Sequence, residues 1–200
     1  GNSATGGGDG GGIFTEGNGS TVTITNSTLS GNSAAGVGVG GGIRRYGGAV
    51  ILRNTIVANS TTGGNCSGTI TDDGNNLQFG GSTANSCGAT ITTADPDLGA
   101  LTGSPAYFPL NTGSAAIDAG SNAVCAAAPV NNTSQNGVTR PKDGDGNGTA
   151  TCDIGSYEAP TFVPASPPVL PSTSFNGSVT ATDGGAFFLN AFYGHVHVNE

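Results

Sequence analysis

The chain has no methionine and no tryptophan, and only 9% of its 200 residues are charged. A core built without those large side chains is narrow and filled by small β-branched residues. The five basic residues, Arg44, Arg45, Arg53, Arg140 and Lys142, stand against thirteen acidic ones and leave a net charge of -8. So few cations give no electrostatic footprint for nucleic acid or an anionic membrane. No apolar run reaches membrane-spanning length, so no membrane insertion is expected, and no signal peptide is present. With so little charge, the surface must be wetted by Ser, Thr and Asn.

What is abundant is glycine, 37 residues, in a chain only 34% hydrophobic. That composition ordinarily points toward disorder, but the glycines recur in place. Gly1-Asn2-Ser3-Ala4-Thr5-Gly6 is answered by Gly31-Asn32-Ser33-Ala34-Ala35-Gly36, and Gly10-Gly11-Gly12-Ile13 by Gly40-Gly41-Gly42-Ile43, at an offset of 30. Val22-Thr23-Ile24-Thr25-Asn26-Ser27 is answered by Val50-Ile51-Leu52-Arg53-Asn54-Thr55 at an offset of 28. Short β-type runs with this period predict an all-β fold, a β-solenoid in which each copy is one rung.

The expected inward residues are Ile13, Val22, Ile24 and Leu29 in the first copy and Ile43, Val50, Leu52 and Val57 in the second. Asn26 and Asn54 hold equivalent turn positions, where stacked amides form a ladder. Residues 1–94 are read as coils, with Gly68–Thr71 as a strand and Gln78–Cys87 as an excursion. Residues 95–159 lose the repeat and are expected to cap the end of the stack. A proline-rich linker, 160–173, leads to a hairpin-like tail at 174–200. Gly1 falls within a copy, so a leader and earlier sequence are expected upstream.

The motifs GGGI, NSTLSGNSA, NTIVANS, GNCSGTI, DPDLG, SAAIDAG, GVTRP and CDIGSYE run from residue 10 to 158. Together they resemble the bacterial secreted right-handed parallel β-helix proteins, pectate-lyase-like in fold, with a C-terminal CDIGAYE-type cap. The resemblance implies that fold and a secreted or surface location, and it implies no activity. Ser134-Gln135-Asn136-Gly137 departs from the commoner Asp-Gln-Arg-Gly, which puts in doubt any salt bridge made there by the usual Arg.

Cys66, Cys87, Cys125 and Cys152 form an even set without a CxxC pair, which reads as two disulfides in an oxidising, extracellular setting. Of three connectivities, local pairing of Cys66 with Cys87 and Cys125 with Cys152 is expected, each pinning one long excursion. Asp143-Gly144-Asp145-Gly146-Asn147-Gly148 places oxygen ligands at alternate positions, so calcium is the one candidate cofactor, with Asp153 closing the site. The twelfth loop position is Ile154 instead of Glu, so the full calcium-loop motif fails. Asp72-Asp73-Gly74 lacks the companions of a hydrolase and reads as a solvated turn. Arg53 has no evident acidic partner, and His195 and His197 read as a polar strand face. No other constellation suits a catalyst, and the chain is read as a non-enzyme. Its sequons, among them Asn18, Asn26, Asn59, Asn131 and Asn176, are too common in an Asn-rich chain to be diagnostic.

Half of the aromatics lie after residue 160. The tail residues Phe175, Val179, Phe187, Phe188, Phe192, Tyr193, Val196 and Val198 are therefore candidates for assembly, since two strands alone are marginal in water. The leading expectation is an extracellular structural protein that joins copies of itself head to tail through this tail. The alternative is a monomeric adhesin or glycan-binding module, and a polysaccharide lyase or hydrolase ranks below both.

Overall fold

Alternation of threonine with Val22 and Ile24 gives Thr21–Thr25 one apolar side, and that side faces the core. In the computed structural model, which describes residues 1–36, 39–81 and 86–164, short parallel strands make up nearly all the regular structure. The exception is a five-residue helix, α1 (Asn122–Ala126), capped by Ser121, whose hydroxyl accepts from the Val124 N–H.

Strands from successive copies collect into separate sheets. β2 (Ile13–Thr15), β6 (Ile43–Arg45) and β9 (Cys66–Ser67) form one, and β3 (Thr21–Thr25), β7 (Ala49–Arg53) and β10 (Thr71–Asp72) form the next. β4 (Thr28–Ser30), β8 (Ile56–Ala58), β11 (Leu77–Phe79) and β12 (Thr92–Thr93) form a third. β1 (Ser3–Ala4) pairs with β5 (Ser33–Ala34). The register sets Ile13 beside Ile43, Val22 beside Val50, Ile24 beside Leu52 and Leu29 beside Val57. The third copy is shorter, since Ile43 pairs with Cys66 and Leu52 with Asp72.

The inner sides of three sheets meet in one aliphatic core. Ile24, Ile43, Val50, Leu52 and Val57 fill it, with Ile13, Val22, Leu29 and Ile70 packed around them. Cys87 and Ile91 join the same cluster beside Cys66. Where the backbone of one copy meets the next there is no room for side chains. A Cβ on Gly42 would stand 2.5 Å from the Asn65 carbonyl oxygen and 2.8 Å from a Val57 methyl.

Asn26 and Asn54 leave their strands in the left-handed region, at φ 44° and 45°, a conformation asparagine tolerates better than most residues. The turn carries the chain from the second sheet into the third. Ile56 and Ala58 then face outward while Val57 faces in, so β8 is buried on both sides.

What covers that outer side is the irregular segment after residue 95. Leu110, Ala116 and Ile154 pack with Ile56, Ala58 and Leu77 in a second apolar cluster. The segment also reaches back to the first copy, where the Ser156 N–H donates to Thr28 Oγ1. It thus lies along the flank of the third sheet, a correction to the end cap expected from the sequence. The physical reason is that β8 carries apolar residues on both faces and β11 turns Leu77 and Phe79 outward, so the outer side needs a cover. The runs Ser114–Gly120 and Cys152–Glu158 supply that cover as turns without regular strands.

Gln78 lies in strand β11, not in the excursion assigned to it, and the segment around Gly68–Thr71 divides into β9 and β10 on either side of a turn. Gly1–Pro164 form one compact unit, so the boundary drawn at residue 94 separates regular from irregular parts of one body. The tail residues Phe175 to Val198, His195 and His197 included, lie outside the described residues.

Candidate functional site

The Asp/Gly loop brings carboxylates together. Oxygens of Asp118, Asp143 and Asp145 lie within 4.8 Å of one another, the one such group of possible metal ligands among the described residues. The loop curls because its own amides are drawn to Asp143, whose Oδ1 accepts from the Gly146 and Asn147 N–H groups and whose Oδ2 accepts from Gly148. Asp118 arrives from the SAAIDAG turn, at φ 53°, and its Oδ2 accepts from the Gly144 and Asp145 N–H groups. Its other oxygen is buried and has no hydrogen-bond partner. Burial raises the Asp118 carboxyl above its usual range, while the backbone N–H of Asn147 holds Asp145 below its own.

Asp153 does not join this group, a correction to the ligand set read from the sequence. Its carboxylate is spent elsewhere, Oδ1 on the Asp118 N–H at 2.8 Å and Oδ2 on the Ala159 N–H at 2.5 Å. Asn147 turns its carbonyl oxygen to the Thr149 N–H and its amide to Asp145, so it braces the loop. Asp118 was missed because nothing in AIDAG marks it as a neighbour of a loop 25 residues further on.

Asp153 belongs to a buried ionic cluster with Arg140 and Glu158, which are 2% and 0% exposed. The Arg140 guanidinium donates to the carbonyl oxygens of Asp153, Gly155 and Tyr157, and its Nε stands 3.6 Å from Glu158. Glu158 in turn accepts from the Lys142 and Asp153 N–H groups. This ties GVTRP to CDIGSYE. One cation serves two acids, and burial pushes Asp153 up to about 7 and raises Glu158 as well. Asn136 exchanges two hydrogen bonds with the Glu158 backbone, and the salt bridge to Glu158 comes from Arg140.

The cysteines join as Cys66–Cys87 and Cys125–Cys152. The second disulfide rests against the asparagine turns, with the Asn26 amide 3.1 Å from Cys125 Sγ. Asn54 touches Asn26 at 3.4 Å, a long contact, and is held more firmly by Ser121, accepting from its N–H at 3.0 Å and donating to its carbonyl at 3.2 Å. Asn75 takes the same left-handed turn in the third copy but gives its amide to the Ala119 carbonyl. The asparagines therefore fasten the flank cover more than they bind one another.

Arg53 has an acidic partner after all, Asp73 at 2.5 Å across an exposed surface. Asp72 accepts from the Gly74 N–H and the Asn76 amide within its turn. Among the sequons, Asn26 is buried whereas Asn18 and Asn131 are exposed.

No protein-family model, curated protein or solved structure matches the chain. Two disulfides are consistent with an extracellular protein, and among the described residues no helix is long and apolar enough to cross a membrane.

Proposed function

We propose that the chain is an extracellular structural protein whose parallel strands wind as a right-handed parallel β-helix and whose copies join head to tail. The observation that carries this reading is the strand order. Among the described residues β3 and β4 are each the outermost strand of a sheet, and β3 offers five uncharged residues along that edge. Such an edge is a template for a further strand, whether that strand belongs to chain preceding Gly1 or to a neighbouring copy, and β3 carries no charge or proline along it. The opposite edge is blunted, because β10 is two residues long and ends at Asp72-Asp73.

In this reading the strand comes from residues 174–200 of a neighbouring copy, added in the manner of donor-strand pairing. A contact of that kind is heterologous and propagates as a filament unless it closes. Electron microscopy and light scattering of the full chain beside one ending at Pro164 test it. Filaments lost on truncation support the mechanism, and filaments unchanged by it remove the tail.

Calcium enters this reading at Asp118, Asp143 and Asp145, where the buried unpartnered oxygen of Asp118 gives a cation something to satisfy. The ion would brace the loop against the flank cover. Calorimetry with millimolar calcium chloride, comparing Asp118→Asn with the parent chain, is the check. Heat in the parent and none in the variant supports it, and no heat in either removes it.

A further inference from the structure

Mild oxidants of proteins act on thiols and methionine, and on the electron-rich rings of tryptophan and tyrosine. This chain has no methionine and no tryptophan, and all its cysteines are closed as disulfides. Its four tyrosines, Tyr46, Tyr107, Tyr157 and Tyr193, are therefore the groups from which an electron is most easily drawn. What becomes of a tyrosyl radical depends on its neighbour. Tyr107 and Tyr157 lie ring to ring, with centroids 5.6 Å apart and planes tilted by 35°. Among the described residues they are the one tyrosine pair in ring contact, since Tyr46 lies against Phe14. Both are half-buried, so neither ring is sealed from a small oxidant.

Three segments hold the two rings in place. Thr102 and Tyr107 exchange backbone hydrogen bonds of 3.0 and 2.7 Å, which close the turn that presents Tyr107. Gly103 in that turn lies directly against the Tyr107 ring, where a Cβ would collide with it. Tyr157 packs on the second apolar cluster, and its carbonyl accepts from Arg140 at 2.9 Å. Gln135 joins the two sides, its backbone N–H donating to the Ser156 carbonyl at 2.9 Å and its side-chain amide to the Ala106 carbonyl at 2.7 Å. The residue before each tyrosine is thus fastened to one glutamine. Burial, and after it the charge at the Tyr107 hydroxyl, raises the Tyr157 phenol above its ordinary range, so the hydroxyl ends of the two rings are near each other.

We propose that Tyr107 and Tyr157 form an oxidative cross-linking site, converted to dityrosine by a peroxidase-type one-electron oxidant driven by hydrogen peroxide. Each phenol gives up one electron and its hydroxyl proton. The two phenoxyl radicals join through ring carbons next to their oxygens, and the hydrogens on those carbons move to the oxygens to restore both phenols. One hydrogen peroxide takes up the two electrons and two protons and leaves as two waters. Because the fold already holds the rings together, their coupling is unimolecular and outruns encounters between chains. The new carbon–carbon bond ties the turn at 102–107 to the end of the flank cover, and reagents that open the disulfides leave it closed. No residue of the tail or of the β3 edge takes part, so the site is independent of the head-to-tail reading.

The test treats the full chain, with both disulfides formed, with peroxidase and hydrogen peroxide at low protein concentration, and isolates the single-chain product under denaturing conditions. That product should show the blue fluorescence of dityrosine and a mass lower by two hydrogens. Pepsin digestion should release a linked pair of peptides holding Tyr107 and Tyr157. Tyr107→Phe and Tyr157→Phe should each lower the single-chain yield about tenfold or more, whereas Tyr46→Phe, which loses a hydroxyl elsewhere, should leave it unchanged. Each variant keeps its ring and should melt like the parent before treatment, which separates a lost coupling partner from a lost fold. No dityrosine within single chains, a linked pair built on Tyr46 or Tyr193 instead, or a yield unchanged in Tyr107→Phe and Tyr157→Phe would each overturn the assignment. So would dityrosine found only between chains.

Discussion

At the scale of single residues, two glycines illustrate different reasons for having no side chain. Gly42 has an ordinary backbone, but a Cβ there would press on the Asn65 carbonyl and a Val57 methyl. Gly74 lies at φ 94° with nothing within 4 Å of the place a Cβ would take. Gly42→Ala should therefore destabilise by about 2–3 kcal/mol through overpacking, and Gly74→Ala by about 1 kcal/mol through backbone strain alone. Urea unfolding of the two variants checks the ranking, and equal losses would mean that the copies can move apart. The sequence marks both as repeat or turn glycines, but it cannot separate them. The distinction rests on a carbonyl contributed by the following copy.

At the scale of elements, strands with strict alternation were readable and strands without it were not. Thr21–Thr25 declares itself by pattern, and Ala49–Arg53 inherits its assignment from the repeat. Leu77–Phe79 does neither, because its middle residue is a buried polar one. Gln78 earns that place by donating to the Gly88 and Ile91 carbonyls and accepting from the Cys87 N–H. Gln78→Leu leaves those groups without partners and should cost about 2–3 kcal/mol, read as a lower urea midpoint at unchanged slope. The flank cover was hidden for another reason, since its partners are outward residues of β8 and β11 that a two-sided strand pattern does not assign to any neighbour. Closing the 27-residue separation between Cys125 and Cys152 restricts the unfolded chain by about 3 kcal/mol. Replacing both by alanine should cost at least that, because the disulfide also packs on Asn26 and Asn54. A smaller loss would mean the cover is held mainly by Arg140.

At the scale of the whole molecule, the buried cluster makes stability depend on pH. Burial raises Asp153 from its unfolded value of 3.8 to about 7, so the folded chain holds a proton that the unfolded chain has released. Stability is then greatest below about pH 4, falls as pH rises toward 7, and levels off above it. Glu158 is raised too and adds to the slope in the same direction, opposed by Arg140. Melting temperatures between pH 4 and 8 should fall by an amount corresponding to a few kcal/mol, and a flat profile would mean that Asp153 is ionised throughout. The bond from Ser156 to Thr28 has a temporal meaning as well. It joins residues 128 positions apart, so the copy that carries Thr28 receives this partner only when synthesis has passed Cys152. A repeat array ordinarily grows and frays one unit at a time. Here the stretch 152–158 closes over the copies, so they should stay open to reduction and proteolysis until it is in place and resist both together afterwards.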